Sequence, residues 1–194
     1  IAACIVEPIA GSTGILVPPK GYLDRLRKIC DKHGILLIFD EVITGWGRTG
    51  SPFAAQEFNV TPDIMTLAKA TTNGVVPMGV VAVRDGIYDA VMDSAPEGTI
   101  ELFHGYTYSG IPAAVAAALA VQNIFEKENI FSRVKEISPY FQETLHSLGD
   151  LDCVENIRGY GLLGGVDIKK KDKPGKAGFQ VYKACYENGV NLKA

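Results

Sequence analysis

An acidic residue closes a run of buried-strand residues at Ile35-Leu36-Leu37-Ile38-Phe39-Asp40-Glu41, and a single lysine, Lys69, follows the next such run at Asp63-Ile64-Met65-Thr66-Leu67. In an open α/β sheet the functional groups gather at the carboxyl ends of the strands, so a carboxylate and an amine ending neighbouring strands project into one crevice. By default a lysine is a solvated surface charge. Lys69, set between a strand and the small-residue stretch Ala70-Thr71-Thr72-Asn73-Gly74, is instead expected to be desolvated, which favours the neutral amine and Schiff-base chemistry.

Two rival readings of the Asp40 strand lack their other parts. Nucleotide hydrolases also end an apolar strand in Asp-Glu, with the aspartate on Mg²⁺, but no Gly-x-x-x-x-Gly-Lys-Ser/Thr phosphate loop occurs in this chain. Gly45-x-Gly47-x-x-Gly50 superficially matches a dinucleotide fingerprint, yet Pro52 follows at once and no acidic partner stands about 20 residues on. A carboxylate beside a Schiff-base lysine has a specific use: pairing with the pyridinium nitrogen of pyridoxal phosphate keeps that ring an electron sink.

The elements that must hold these groups alternate along the chain. Ala2 to Val6 is an apolar run stopped by Glu7-Pro8, which suggests a strand buried on both faces. From Lys20 to His33, Tyr22, Leu23, Leu26, Ile29 and Cys30 recur at helical spacing, with Pro18 and Pro19 before them and Gly34 as the C′ residue. A strand at 35–39 leads into a glycine-rich shaped loop at 45–51; further strands are expected at 64–67 and 79–83, with Asp85 capping a helix to Met92. The sheet reads as mostly parallel. Helices follow at 112–125 and 130–148, the second crossing between domains. After them come strands at 153–157 and 161–168, a helix at 178–188 and a strand reaching Ala194. Residues 1–128 thus read as the later part of a large α/β domain, and 129–194 as an interdomain helix plus a truncated α+β domain.

The composition excludes several partners. A net charge of −3, with basic runs no longer than Lys169-Lys170-Lys171, argues against nucleic acid or an anionic membrane; residues 169–176 read as a solvated loop. No apolar segment approaches the roughly 20 residues of a membrane span. Cys4, Cys30, Cys153 and Cys185 show no CxxC spacing, which fits a reducing, cytoplasmic setting. The chain starts inside a strand, as a piece of a longer protein would.

Three motifs in order, LLIFDEVITGWGRTGS ending at Ser51, LAKATTNGVVPMG from Leu67 to Gly79, and LFHGYTYSGIP from Leu102 to Pro112, resemble the signature of class III aminotransferases, pyridoxal-phosphate enzymes of fold type I (aspartate-aminotransferase-like). The resemblance spans essentially all 194 residues. It implies that Lys69 is the Schiff-base lysine and proton shuttle and that Asp40 binds the pyridine nitrogen. Val42 would pack on a ring face, and Thr107 would donate its hydroxyl to the cofactor phosphate across a homodimer interface. Glu7 would lie near the active site. Ordinary alternatives are core packing for Val42, a turn for Thr107 and a strand cap for Glu7.

Departures point to a branch. Where many members place a second glutamate after Glu-Pro-x-Gln, this chain has Glu7-Pro8-Ile9-Ala10-Gly11-Ser12. That is more similar to the ω-amino acid or β-alanine:pyruvate branch, as is the long segment between Gly79 and His104. The expected reaction moves an amino group from an amine donor to a keto acid, pyruvate above all. Ile111 stands where the family usually has histidine. An aminomutase or decarboxylase of the same fold, or a non-catalytic dimerisation module, remains as the alternative reading. The family's glycine/serine phosphate-binding turn and ring-stacking aromatic are expected earlier in a parent chain and its substrate-binding arginine later, so the isolated chain is expected to be inactive.

Overall fold

In the computed structural model, which describes residues 1–169, 173 and 175–193, four strands form one sheet in chain order: β1 (Ala3–Val6), β2 (Leu36–Asp40), β3 (Ile64–Leu67) and β4 (Val80–Val83). β1 pairs with β2 and β2 with β3 in parallel, whereas β4 runs antiparallel to β3. The mostly parallel α/β sheet expected from the sequence is therefore present, with an antiparallel edge.

Helix α1 (Tyr22–His33) joins β1 to β2 and covers one sheet face. Its Leu23 and Cys30 meet Leu37, Phe39 and Val60 in the core, with Cys4, Val6, Leu26 and Met65 packed around them. Gly34 ends the helix at φ 63°, its N–H reaching the Asp31 carbonyl while Ile35 N–H reaches that of Cys30. A left-handed residue is what this closure requires, and glycine takes it without a Cβ penalty. Burial of thiol and aliphatic side chains here drives the α1–sheet association.

The opposite sheet face is open. Register places Ile5, Leu36, Val81 and Val83 on it, and all four are exposed, Ile5 at 62% and Val81 at 65%. The expectation that β1 is buried on both faces is thus wrong for the described residues. β1 forms a sheet edge and α1 covers one side only, so an apolar run too short for a helix does not by itself tell how many faces are covered. Tyr22 and Ile29 of α1 are likewise exposed.

Asp63, at the entrance to β3, is the buried electrostatic joint of this half. Its Oδ2 accepts from Leu37 N–H (2.7 Å) and Arg27 (2.8 Å), and its Oδ1 accepts from Arg84 (2.7 Å). Burial alone would raise this carboxyl, but the Leu37 amide and the two guanidiniums together hold it below its ordinary value.

After β4, α3 (Asp85–Ser94) starts at Asp85, with Arg84 in the N-cap position and no side-chain cap. Asp85 is therefore a first-turn acid, favourable to the helix dipole, rather than the cap expected. Helix α4 (Pro112–Lys127) carries Pro112 at its first turn, and α5 (Ile130–Ser147) packs against α4 on one side and the following hairpin on the other. That hairpin, β5 (Val154–Tyr160) and β6 (Leu163–Ile168), turns at Gly161-Leu162. The strand expected to begin at Gly161 instead begins after it, because Gly161 takes φ 58° in the turn.

The hairpin is docked by polar ties. Arg158 donates to the Gly14 carbonyl (2.9 Å) and pairs with Asp167, and Gln142 of α5 donates to the carbonyls of Gly161 and Leu163. Tyr160 donates to Glu57 (2.6 Å), a residue of the one-turn helix α2 (Ala54–Glu57) that the sequence did not announce. Helix α6 spans Lys176–Glu187. Residues 189–193 form no strand; Ala194 lies outside the described residues, as do Lys170, Lys171, Asp172 and Pro174 of the expected loop.

Candidate active site

Asp40 ends β2 and Lys69 follows β3 by two residues, on neighbouring parallel strands. The ladder sets Asp40 directly opposite Thr66, so the aspartate and the threonine three residues before Lys69 share a sheet face. Asp40 Oδ1 accepts from Val42 N–H (3.0 Å), which turns the chain sharply after the strand. Among the described residues this is the only hydrogen bond of its carboxylate.

A cavity of about 900 Å³ opens beside these strand ends. Val42, Thr66, Lys69 and Thr72 line it from the sheet side, and Tyr106, Tyr108 and Ile111 from the segment leading into α4. Of the residues singled out from sequence, Val42 and Lys69 border it directly. Asp40 adjoins it through Thr66. Thr107 lies between two lining tyrosines in an exposed turn closed by Ser109 N–H on the Tyr106 carbonyl. Glu7 follows β1 and accepts from Gly11 N–H (2.9 Å), which ties the loop after the strand. Ile111 adds an apolar wall, and Ser12 is exposed in the turn after Glu7.

Lys69 is exposed, which corrects the expectation of a desolvated amine. Among the described residues its Nζ has no hydrogen bond or ion pair. Its backbone is unusual: φ is 43°, a left-handed conformation that costs a side chain with a Cβ about 1–2 kcal/mol. The turn is closed by Thr71 N–H on the Ala68 carbonyl (2.9 Å) and Gly74 N–H on the Lys69 carbonyl (3.2 Å).

Two features escaped the sequence reading. Glu41, adjacent to Asp40 but pointing the other way in the strand-end alternation, is fully buried. Its carboxylate accepts from the N–H groups of Ala54 (2.6 Å) and Ala55 (2.8 Å) and the hydroxyl of Thr44 (3.1 Å). Burial pushes its carboxyl up, and those three donors oppose the push. An Asp-Glu pair at a strand end was the available signal, since alternation sends one acid to the site and the other inward. The second feature, Trp46 bonded to Thr71 across 25 residues (2.9 Å), has no sequence signal.

The residues suit pyridoxal phosphate on two observations of this structure: an amine at the cavity with no partner among the described residues, and a carboxylate on the neighbouring strand with one oxygen uncommitted among them. No group of three or more His, Cys, Asp or Glu side chains capable of holding a metal occurs among the described residues.

Comparison with known proteins gives the same direction. The profile of the family Aminotransferase class-III matches residues 1–194. An omega-aminotransferase of Caulobacter vibrioides is 51% identical over 194 residues, covering 100% of this chain and 44% of that protein. A β-alanine–pyruvate aminotransferase of Pseudomonas aeruginosa is 50% identical over 188 residues, covering 94% of this chain and 42% of its own length. Among solved structures, a thermostable (S)-enantioselective omega-transaminase of Thermomicrobium roseum superposes with a TM-score of 0.93 at 38% identity, over all of this chain and 44% of that one. The chain thus spans less than half the length of the relatives it matches.

Proposed function

The chain belongs to the class III aminotransferases, and from that premise we propose that the whole protein is a pyridoxal-phosphate-dependent transaminase moving an amino group from an ω-amino acid or amine to a keto acid, pyruvate first. The observation that carries this is the amine of Lys69 on the cavity, without a partner among the described residues, with Asp40 ending the adjacent parallel strand. The names of the relatives quoted above support the ω-amino donor and the pyruvate acceptor, and the uncharged Ser12 agrees with them.

Pyridoxal phosphate supplies, when bound, an aldehyde that condenses with amines and a ring that accepts the electron pair left when a carbon loses its proton. Lys69 would hold the cofactor through Nζ. With the donor amine in its place, its free Nζ would serve as the positioned base that takes the proton from the donor carbon and returns it on the other side of the nitrogen. Asp40, its carboxylate oriented by the Val42 amide, would keep a proton on the ring nitrogen. Val42 would pack against the cofactor ring, and Thr107 would offer its hydroxyl to the cofactor phosphate held by a second copy. The exposure of Thr107 on its own chain supports that last role. Glu7 stands at the end of the strand beside Asp40's, in a supporting position.

On this reading the protein works as a homodimer, and residues 1–194 alone give no turnover because the exposed Lys69 lacks the enclosure its chemistry needs. The domain division falls near residue 128, α5 linking the two parts. A cytoplasmic setting is supported by four free thiols, and no helix among the described residues is long and apolar enough to cross a membrane. Incubating the full-length protein with pyridoxal phosphate, reducing with borohydride and mapping the modified peptide tests the assignment. Label confined to Lys69 is expected; label elsewhere overturns it.

A further inference from the structure

A lysine held at φ 43° is a strained presentation, and such residues persist only where the surroundings over-determine them. Backbone bonds alone do not distinguish this turn from any other. What does is a hydrogen-bond relay: Trp46 Nε1 donates to Thr71 Oγ1 (2.9 Å), and Thr71 Oγ1 donates to the Ala68 carbonyl (3.0 Å). Thr71 is buried, so its hydroxyl has both bonds supplied by protein. The Ala68 peptide thus tied is the one immediately preceding Lys69.

The other end of the relay is itself anchored. Trp46 sits in the loop that leaves Asp40, with its N–H and that of Gly47 on the Pro52 carbonyl. Its ring meets Phe53 edge-on (5.2 Å) and stacks on Phe125 of α4 (6.0 Å), which in turn packs on Phe131 of α5. The relay therefore joins the loop carrying the carboxylate to the turn carrying the amine, and it braces both against α4 and α5. Gly47 makes room for this: a Cβ there would lie 2.9 Å from the Phe131 ring.

We propose that Trp46 and Thr71 are positioning residues for Lys69, setting the direction of its side chain through the Ala68 carbonyl. The inference rests on the reading of Lys69 as the cofactor-binding lysine. A merely structural role would alter stability and leave the reactivity of Lys69 unchanged, whereas a positioning role alters reactivity in folded protein.

The test uses the full-length protein with Thr71→Val, Thr71→Ser and Trp46→Phe. In the cofactor-free state, the rate at which an amine-acylating reagent modifies Lys69 is followed by peptide mass spectrometry. In the loaded state, the pH titration of the visible absorbance and the split between kcat and KM are measured. Thr71→Val and Trp46→Phe are expected to change the Lys69 modification rate severalfold and to lower kcat by about 10-fold, with KM for the amine donor nearly unchanged, as a modest misplacement does. The absorbance titration should move with them, and Thr71→Ser should restore all three. Wild-type behaviour in folded Thr71→Val overturns the proposal; valine keeps the volume of threonine, so this variant decides the matter should Trp46→Phe fail to fold. Borohydride label missing from Lys69 in the wild type overturns the functional reading and this proposal together, whereas label present with unchanged variants overturns the positioning role alone.

Discussion

Asp40 lies directly across the β2–β3 ladder from Thr66, three residues before Lys69. Because the pairing is parallel, both strands deliver their ends on the same edge of the sheet, and the carboxylate and amine come from neighbouring strands rather than opposite edges.

Asp40→Asn keeps an oxygen for the Val42 amide but removes the negative charge. It is expected to leave borohydride labelling of Lys69 intact in the full-length protein while lowering kcat roughly 100-fold or more, the scale of a lost preorganised charge. Steady-state kinetics alongside peptide mapping checks this.

Asp63→Asn should destabilise the protein by about 2 kcal/mol at neutral pH, since it removes the buried carboxylate that Arg27 and Arg84 share, leaving Arg27 only the exposed Asp31, and weakens the bond from Leu37 N–H. The folded-state value of this carboxyl is depressed. Its stabilisation is therefore complete above the unfolded-state value near about 4 and is lost as pH falls below that through the folded value. Urea unfolding of wild type and variant should show the stability gap closing only at such acidic pH.

Glu41→Ala strips three donors, two of them buried, of their acceptor and should cost about 3 kcal/mol. Glu41→Gln should cost less, about 1–2 kcal/mol, because its amide oxygen still accepts while its NH₂ meets a donor. Chemical denaturation separates the two, and equal losses would contradict the bonding described.

Gly161→Ala puts a Cβ 2.4 Å from the Arg48 carbonyl oxygen and 2.8 Å from Thr49 Cα at φ 58°. Gly98→Ala has a comparable φ of 77° and open space. The first should lose more than about 2 kcal/mol and the second about 1 kcal/mol, since only the first adds a clash with backbone to the left-handed strain. Melting temperatures of the pair measure the difference.

Tyr160 is pushed up to about 12 by burial and by its bond to Glu57. Ultraviolet titration of tyrosinate formation should show one late component, which is missing in Tyr160→Phe.

Much of the order of elements was legible. Strand ends at Phe39-Asp40 and Leu67, the α1 helix closed by Gly34 and the long α4 and α5 helices all follow from apolar periodicity and punctuation. The sequence reading placed the Gly161 turn a few residues off, because two strands joined by a two-residue turn leave an almost continuous apolar pattern. It missed α2 because a single turn has no period to detect. The exposure of the second sheet face was illegible as well, since an apolar run records what a strand can bury rather than what is there to cover it.

By itself, the sequence determined the chemistry available: one lysine after a strand, one aspartate ending the neighbouring strand, and motifs that identify the family. Those are matters of residue type and local spacing. Only the tertiary structure decided that Lys69 is exposed at a cavity, that Glu41 turns inward to hold α2, and that Trp46 reaches Thr71 across 25 residues. Such relationships depend on how distant segments pack and on which donors burial leaves to be satisfied, and no short-range pattern encodes either.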